Sequence, residues 1–176
     1  MSGGRTTIGL DVGGTKVAAV LLEQAGGTVL DREQASSGGS ATDLVATLAG
    51  LVDSLRTRAN TDRETVAAVG LGIAGLVDRQ GVVRWSPNLP AAVDHPLTDE
   101  LEAAIGLPVT TTNDATAATV AEARFGAGRD CQDVALITLG TGIGAGFVVD
   151  GRLLRGAHGF AGEPGHMVVD AHGPLH

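Results

Sequence analysis

The sequence predicts an α/β chain, in the order β-β-β-α-β-α-β-α with a renewed β-β at the end. Three observations carry this. Short apolar runs of strand length are interspersed with longer segments of helical period. A glycine turn between two apolar runs occurs twice, at 11–16 and 139–144, which reads as a duplicated half-domain plan. Aromatics make up only 2% of the chain (Trp85, Phe125, Phe147, Phe160, no tyrosine), so the core must be built from Val, Leu, Ile and Ala. That suits tightly layered packing.

Residues 6–11 and 17–22 read as two strands joined by the first glycine turn, and a third strand, about 28–34, follows Gly26-Gly27. Ser40-Ala41-Thr42-Asp43 has the form of a capping box. Leu44, Val45, Leu48, Leu51, Val52 and Leu55 then recur at helical spacing, giving a helix to about Arg58. Val66–Ile73 is a buried strand, and 76–84 a hairpin with Gly81 in its turn. The prolines of Ser86-Pro87-Asn88-Leu89-Pro90 hold that segment extended. A short helix from about Pro96 to Ile105 ends at Gly106. Val109–Thr112 is a strand that runs into Asn113-Asp114, and Ala115–Phe125 is an alanine-rich helix whose small faces permit close approach. Val134–Leu139 and Ile143–Val149 are the last strands, with a turn at Asp150-Gly151. Residues 1–113 form one lobe on this reading, and 114–176 the start of a second.

Net charge is -8 and no basic stripe occurs, which argues against a nucleic-acid surface. A single cysteine, Cys131, rules out an intramolecular disulfide framework and fits a reducing cytosol. Neither a secretory leader nor an apolar run of membrane-spanning length is present, so a cytoplasmic protein is expected.

The chemistry concentrates in three places. Lys16 is the chain's only lysine against eleven arginines, and it closes Asp11-Val12-Gly13-Gly14-Thr15-Lys16. A flexible ammonium beside a tight turn suits a phosphate oxygen. Leu139-Gly140-Thr141-Gly142-Ile143-Gly144 repeats that turn chemistry. Asn113-Asp114, at a strand end, offers a carboxylate to accept a proton beside an amide that can both donate and accept. Together they point to phosphoryl transfer from a nucleotide. Each has a plainer explanation alone: a glycine-rich hairpin, a solvated lysine, a helix N-cap. Walker A is excluded, because no Gly-Lys pair exists. Gly140 to Ala145 matches the dinucleotide fingerprint by letter, but Phe147-Val148-Val149 continues as a strand where that motif needs a helix.

These motifs, with Gly162-Glu163-Pro164-Gly165-His166, occur in the order seen in ROK-family sugar kinases, which the chain resembles over nearly its whole length, bacterial glucokinases most of all. The resemblance implies the actin-like ATPase (ribonuclease H-like) fold, with ATP and a hexose in a cleft between lobes. It implies that Asp11 holds Mg²⁺ through water, and that Gly13, Gly14, Thr15, Lys16, Gly140, Thr141, Gly142 and Gly144 cradle the ATP phosphates. Asp114 is then the general base, and Asn88, Asn113, Glu163 and His166 bind sugar hydroxyls. In the family His166 also ligates zinc with a cysteine cluster that this chain lacks, so zinc is expected only in a longer parent. The chain is expected to be a truncated, inactive portion of an ATP:hexose phosphotransferase. A non-catalytic sugar-binding or regulatory role, an unrelated α/β acetate-kinase-like or ATPase domain, and kinases for N-acetylglucosamine, mannose or fructose are the competing readings. A homodimer is compatible with all of them. His95, His158 and His172 match no motif and read as solvated loop residues.

Overall fold

A computed structural model describes residues 5–61, 65–140, 142–168 and 170. Thr141 and His172 therefore lie outside the described residues. The central sheet has five strands in the order β3-β2-β1-β4-β7, formed by β1 (Arg5–Val12), β2 (Lys16–Glu23), β3 (Val29–Ser36), β4 (Thr65–Ile73) and β7 (Val109–Asn113). β1, β2 and β3 form an antiparallel meander, whereas β4 and β7 join parallel to β1. Strand alternation puts Ile8, Leu10 and Val12 on the same buried face as Val17, Ala19 and Leu21. Against this face lies α1 (Ala41–Thr61) through Leu44, Leu48, Leu51, Val52 and Leu55, with α2 (Leu97–Ile105) beside it through Leu97, Leu101 and Ile105.

Local chemistry sets the element ends. Ser40 Oγ accepts from Asp43 N–H (3.1 Å) and donates to the Asp43 carboxylate (2.7 Å), starting α1 as expected. That helix runs three residues past Arg58, because Ala59 is still buried and Arg58 pairs with Asp31 and Glu33 of β3. Gly106 ends α2 in the left-handed region at φ 66°. The hairpin β5 (Leu76–Val77) and β6 (Val83–Trp85) closes around Gly81, and the Asp78 carboxylate accepts from the N–H groups of Gln80 and Val82. His95 departs from the solvated reading: its Nε2 lies 2.9 Å from Glu100 in the first turn of α2.

The second sheet has the order β10-β9-β8, from β8 (Val134–Leu139), β9 (Ile143–Val149) and β10 (Arg152–Leu153). Between the sheets lies α3 (Asp114–Phe125), touching β4 and β7 on one side and β8 and β9 on the other. Its small residues allow this. A Cβ at Gly146 would come within 2.1 Å of Thr119 Oγ1, and one at Gly144 within 3.1 Å of the Ala115 Cβ. The close approach expected of the alanine-rich helix is thus met by glycines on the facing strand.

One face of the second sheet carries apolar side chains into solvent: Ile137 (51% exposed), Leu139 (80%) and Ile143 (51%). β8 is also a sheet edge. Edge and patch together favour strand-to-strand association. The 176-residue polypeptide is expected to self-associate on size-exclusion chromatography with light scattering, and Ile137→Lys to shift it towards monomer. A monodisperse monomer from the unmodified chain contradicts this.

Candidate active site

Three parallel strands bring the candidate residues to one edge. Asp11 is in register with Gly72, and Ile73 with Asn113, so β1, β4 and β7 end together. Crevices at the carboxyl ends of parallel strands are the usual ligand sites of α/β sheets. The first glycine turn leaves β1 there and is closed by Gly13 N–H donating to Lys16 O (2.9 Å). Its outer side packs on Asn88, since a Cβ at Gly14 would lie 3.0 Å from both the Cβ and the carbonyl oxygen of Asn88. Asn88 is held by its own loop: Ser86 Oγ donates to Ala74 O (2.7 Å) and accepts from Leu89 N–H (3.1 Å). The Lys16 side chain is exposed, with no ion pair among the described residues.

At the end of β7, Asn113 caps α3, its Oδ1 accepting from Thr116 N–H at 2.9 Å. Both amide hydrogens are also committed, one to Gly75 O (3.1 Å) and one to Asp114 Oδ1 (2.9 Å). Asp114 Oδ1 further accepts from Ala115 N–H at 2.9 Å. Asp114 Oδ2 makes no hydrogen bond among the described residues. One oxygen of this carboxylate is therefore fixed and the other left available. Capping and an open carboxylate coexist at adjacent residues.

The second turn folds at the far end of β8, with Gly140 N–H donating to Gly142 O (3.0 Å). A Cβ at Gly140 or Gly142 would meet nothing within 4 Å. Space does not demand glycine there. What glycine provides is bare backbone open to a ligand.

Glu163 and His166 are delivered by a segment laid along β9. Gly162 O accepts from Ala145 N–H (2.9 Å), and a Cβ at Gly165 would reach 2.5 Å from Ile143 O. The Glu163 carboxylate lies 3.8 Å from His166 Nε2, and the His166 ring meets Trp85 edge-on, with centroids 5.8 Å apart. Electrostatics tie these groups together. Desolvation, then the charge of Asp114, pushes the Asp11 carboxyl up. Desolvation raises Glu163 as well; His166 opposes that and Asp114 adds to it. Asp11, Asp114 and Glu163 thus share one electrostatic neighbourhood.

Mg²⁺ fits this donor set, since it commonly takes one or two carboxylates together with phosphate oxygens and water. Zinc does not: among the described residues no three His, Cys, Asp or Glu side chains converge, and Cys131 is free and exposed.

Sequence reasoning placed Asp11, Gly13, Gly14, Thr15, Lys16, Asn88, Asn113, Asp114, Gly140, Gly142, Gly144, Glu163 and His166 in the site. It missed Ser37, which bonds the first turn, and Gly75, which holds Asn113. It also missed the contact of Trp85 with His166, although an only tryptophan in an aromatic-poor chain was a signal that could have been used.

The ROK family model matches residues 7–175. The glucokinase of Streptomyces coelicolor is 38% identical over 162 residues, which are 92% of this chain and 49% of that protein. The N-acetylmannosamine kinase of Salmonella arizonae is 37% identical over 173 residues, 97% of this chain and 56% of that protein. The crystal structure of a ROK family glucokinase from Streptomyces griseus, in complex with glucose and AMPPNP, superposes with a TM-score of 0.82 at 39% identity, covering 94% of this chain and 51% of that one. The chain spans about half the length of the curated relatives it matches. No helix among the described residues is long and apolar enough to cross a membrane. The mixed α/β architecture is that of the actin-like ATPase fold of these neighbours, and the chain belongs to the ROK family.

Proposed function

We propose that this chain supplies the phosphate turns, the general base and part of the sugar site of an ATP-dependent hexose kinase, with glucose the foremost substrate and glucose 6-phosphate the product. The observation that carries the reading is Asp114: one carboxylate oxygen is pinned by Asn113 and Ala115, and the other makes no hydrogen bond among the described residues. In this reaction the sugar hydroxyl oxygen bonds to the γ-phosphorus, the bond from phosphorus to the ADP oxygen breaks, and the hydroxyl proton passes to Asp114 Oδ2. The first turn presents the N–H groups of Thr15 and Lys16 to phosphate oxygens and the second turn lends its bare glycine backbone, the N–H groups of Gly13, Gly140 and Gly144 being spent on Lys16 O, Gly142 O and Thr138 Oγ1 to shape the turns; the Lys16 ammonium is a mobile counter-charge. Asp11 would hold Mg²⁺, which would supply neutralisation of phosphate charge when bound. Glu163 and His166 accept and donate hydrogen bonds to the sugar, Asn88 adds a further contact, and Asn113 offers the remaining lone pair of Oδ1. Residues up to 113 form one lobe and those from 114 open the second, with α3 at the seam.

Two relatives of near-equal identity are kinases of different sugars, so the substrate is decided by a panel. Hexose-dependent ADP release from a chain extended to the length of its relatives tests the reading, with glucose, mannose, N-acetylglucosamine, N-acetylmannosamine and fructose compared. ADP release independent of any hexose is the outcome that contradicts it.

Trp85 supplies a binding readout without turnover. It is the only tryptophan and touches His166, so sugar bound at Glu163 and His166 is expected to change its emission. Glu163→Gln should weaken glucose binding by about 10- to 100-fold, the usual range for a lost charged hydrogen bond, with ATP affinity nearly intact. Loss of ATP affinity in its place removes Glu163 from the sugar site.

A further inference from the structure

We infer that Ser37 is a positioning residue for the phosphate turn, gripping two consecutive peptides so that their N–H groups face the bound phosphates; this rests on the phosphate reading of residues 13–16. Ser37 is the first residue after β3 and is only 2% exposed. Its Oγ donates to Gly14 O at 2.9 Å, and its own N–H donates to Thr15 O at 3.3 Å. In a trans peptide the C=O and the following N–H point in opposite directions. Fixing the Gly14 and Thr15 carbonyls towards Ser37 therefore turns the N–H groups of Thr15 and Lys16 away from it, to a common side. Consecutive N–H groups on one side form an anion-binding concavity. Thr15 N–H takes no partner among the described residues, as a donor held for a ligand should.

The ladder explains why the hydroxyl is needed. Lys16 pairs with Ser36, so the backbone of β3 can reach Thr15 O but has no N–H left for Gly14 O. Directly after Ser37 the chain turns away at Gly38 (φ 76°), where a Cβ would lie 2.9 Å from that of Asp43. The side-chain hydroxyl extends the ladder by one bond beyond the strand's end. Asn88 packs close on the same residue, its Cβ and carbonyl oxygen 3.0 Å from where a Cβ of Gly14 would sit. Without the hydroxyl, the Gly14–Thr15 peptide is free to rotate, and a flexible Gly-Gly turn has little else to stop it.

The test uses the purified 176-residue chain, with inorganic tripolyphosphate and glucose as separate calorimetric probes and a thermal melt for each variant. Ser37→Ala is expected to weaken tripolyphosphate binding about five- to tenfold, the scale of one hydrogen bond, while glucose affinity holds. Ser37→Thr, which keeps the hydroxyl, should restore it. Unchanged tripolyphosphate affinity in Ser37→Ala overturns the inference. So does an equal loss for both ligands, which marks a merely structural residue. If the threonine methyl lowers the melting midpoint, the alanine comparison alone decides. A parent chain that binds glucose but not tripolyphosphate overturns the phosphate reading itself, and the inference with it.

Discussion

Asp114→Asn is expected to lower kcat by on the order of 10²–10⁴-fold in a chain extended to the length of its relatives, the usual contribution of a positioned general base. The substitution is clean in this setting. An asparagine Oδ1 can still accept from the Asn113 amide and from Ala115 N–H, so the start of α3 is preserved. What it puts at the open position is an NH₂ group, which cannot accept a proton. Hexose KM should move far less than kcat, because the loss falls on the transition state. A second readout is independent of turnover. Asp114 is the second cause, after desolvation, of the raised Asp11 carboxyl. Removing its charge should let Asp11 titrate lower, as followed by carboxyl NMR. The sign follows from like charges: a neutral neighbour no longer penalises ionised Asp11. An asparagine variant that keeps most of the parental kcat takes Asp114 out of the catalytic role.

That the place of Asp114, at a strand end and a helix start, was legible in the sequence reflects how local its signals are. A β-rich run ending in Asn-Asp before an alanine-rich helix marks a strand end and a cap within a few residues. The glycine turns were legible for the same reason, as breaks between apolar runs of fixed length. Element order followed from period alone, because the apolar residues of α1 and β1 occupy faces set by 3.6 and 2 residues. Strand order did not. Nothing in the letters says that β4 pairs with β1 rather than extending the meander beyond β3; that is decided by where α1 and α2 cover the sheet. The site partners that escaped notice are all non-local. Ser37 reaches Gly14 across 23 residues, and Asn113 reaches Gly75 across 38. The roles of the Asn113 amide hydrogens were likewise invisible, since only the folded geometry shows both of them already taken.

Gly75→Ala is expected to cost the fold a large share of its stability. Gly75 has φ 142°, a region that residues with a Cβ rarely adopt. The added Cβ would lie 2.4 Å from the Trp85 carbonyl oxygen and 2.9 Å from the Ser86 Cβ. One of those atoms is backbone, so rotating a side chain cannot relieve the clash. Conformational strain and overpacking each cost about 1–3 kcal/mol, and about 3 kcal/mol in total is a fair expectation. For a chain of this size that lowers Tm by roughly 6–12 °C. Gly50→Ala is the matched control. Gly50 lies in α1, and a Cβ there would meet nothing within 4 Å. Helix propensity alone should make that variant more stable, by about 0.5–1 kcal/mol. The opposite signs separate glycine kept for space from glycine merely present. The functional consequence follows from the same atoms. Gly75 O holds the Asn113 amide that orients Asp114, and Trp85 and Ser86 lead into the loop bearing Asn88. Pushing Gly75 away from Trp85 and Ser86 should therefore weaken hexose binding as well as the fold, with tripolyphosphate bound at the first turn less affected. Calorimetric melts of both variants decide the stability claim, and a Gly75→Ala midpoint within a degree or two of the parent rules out the steric argument.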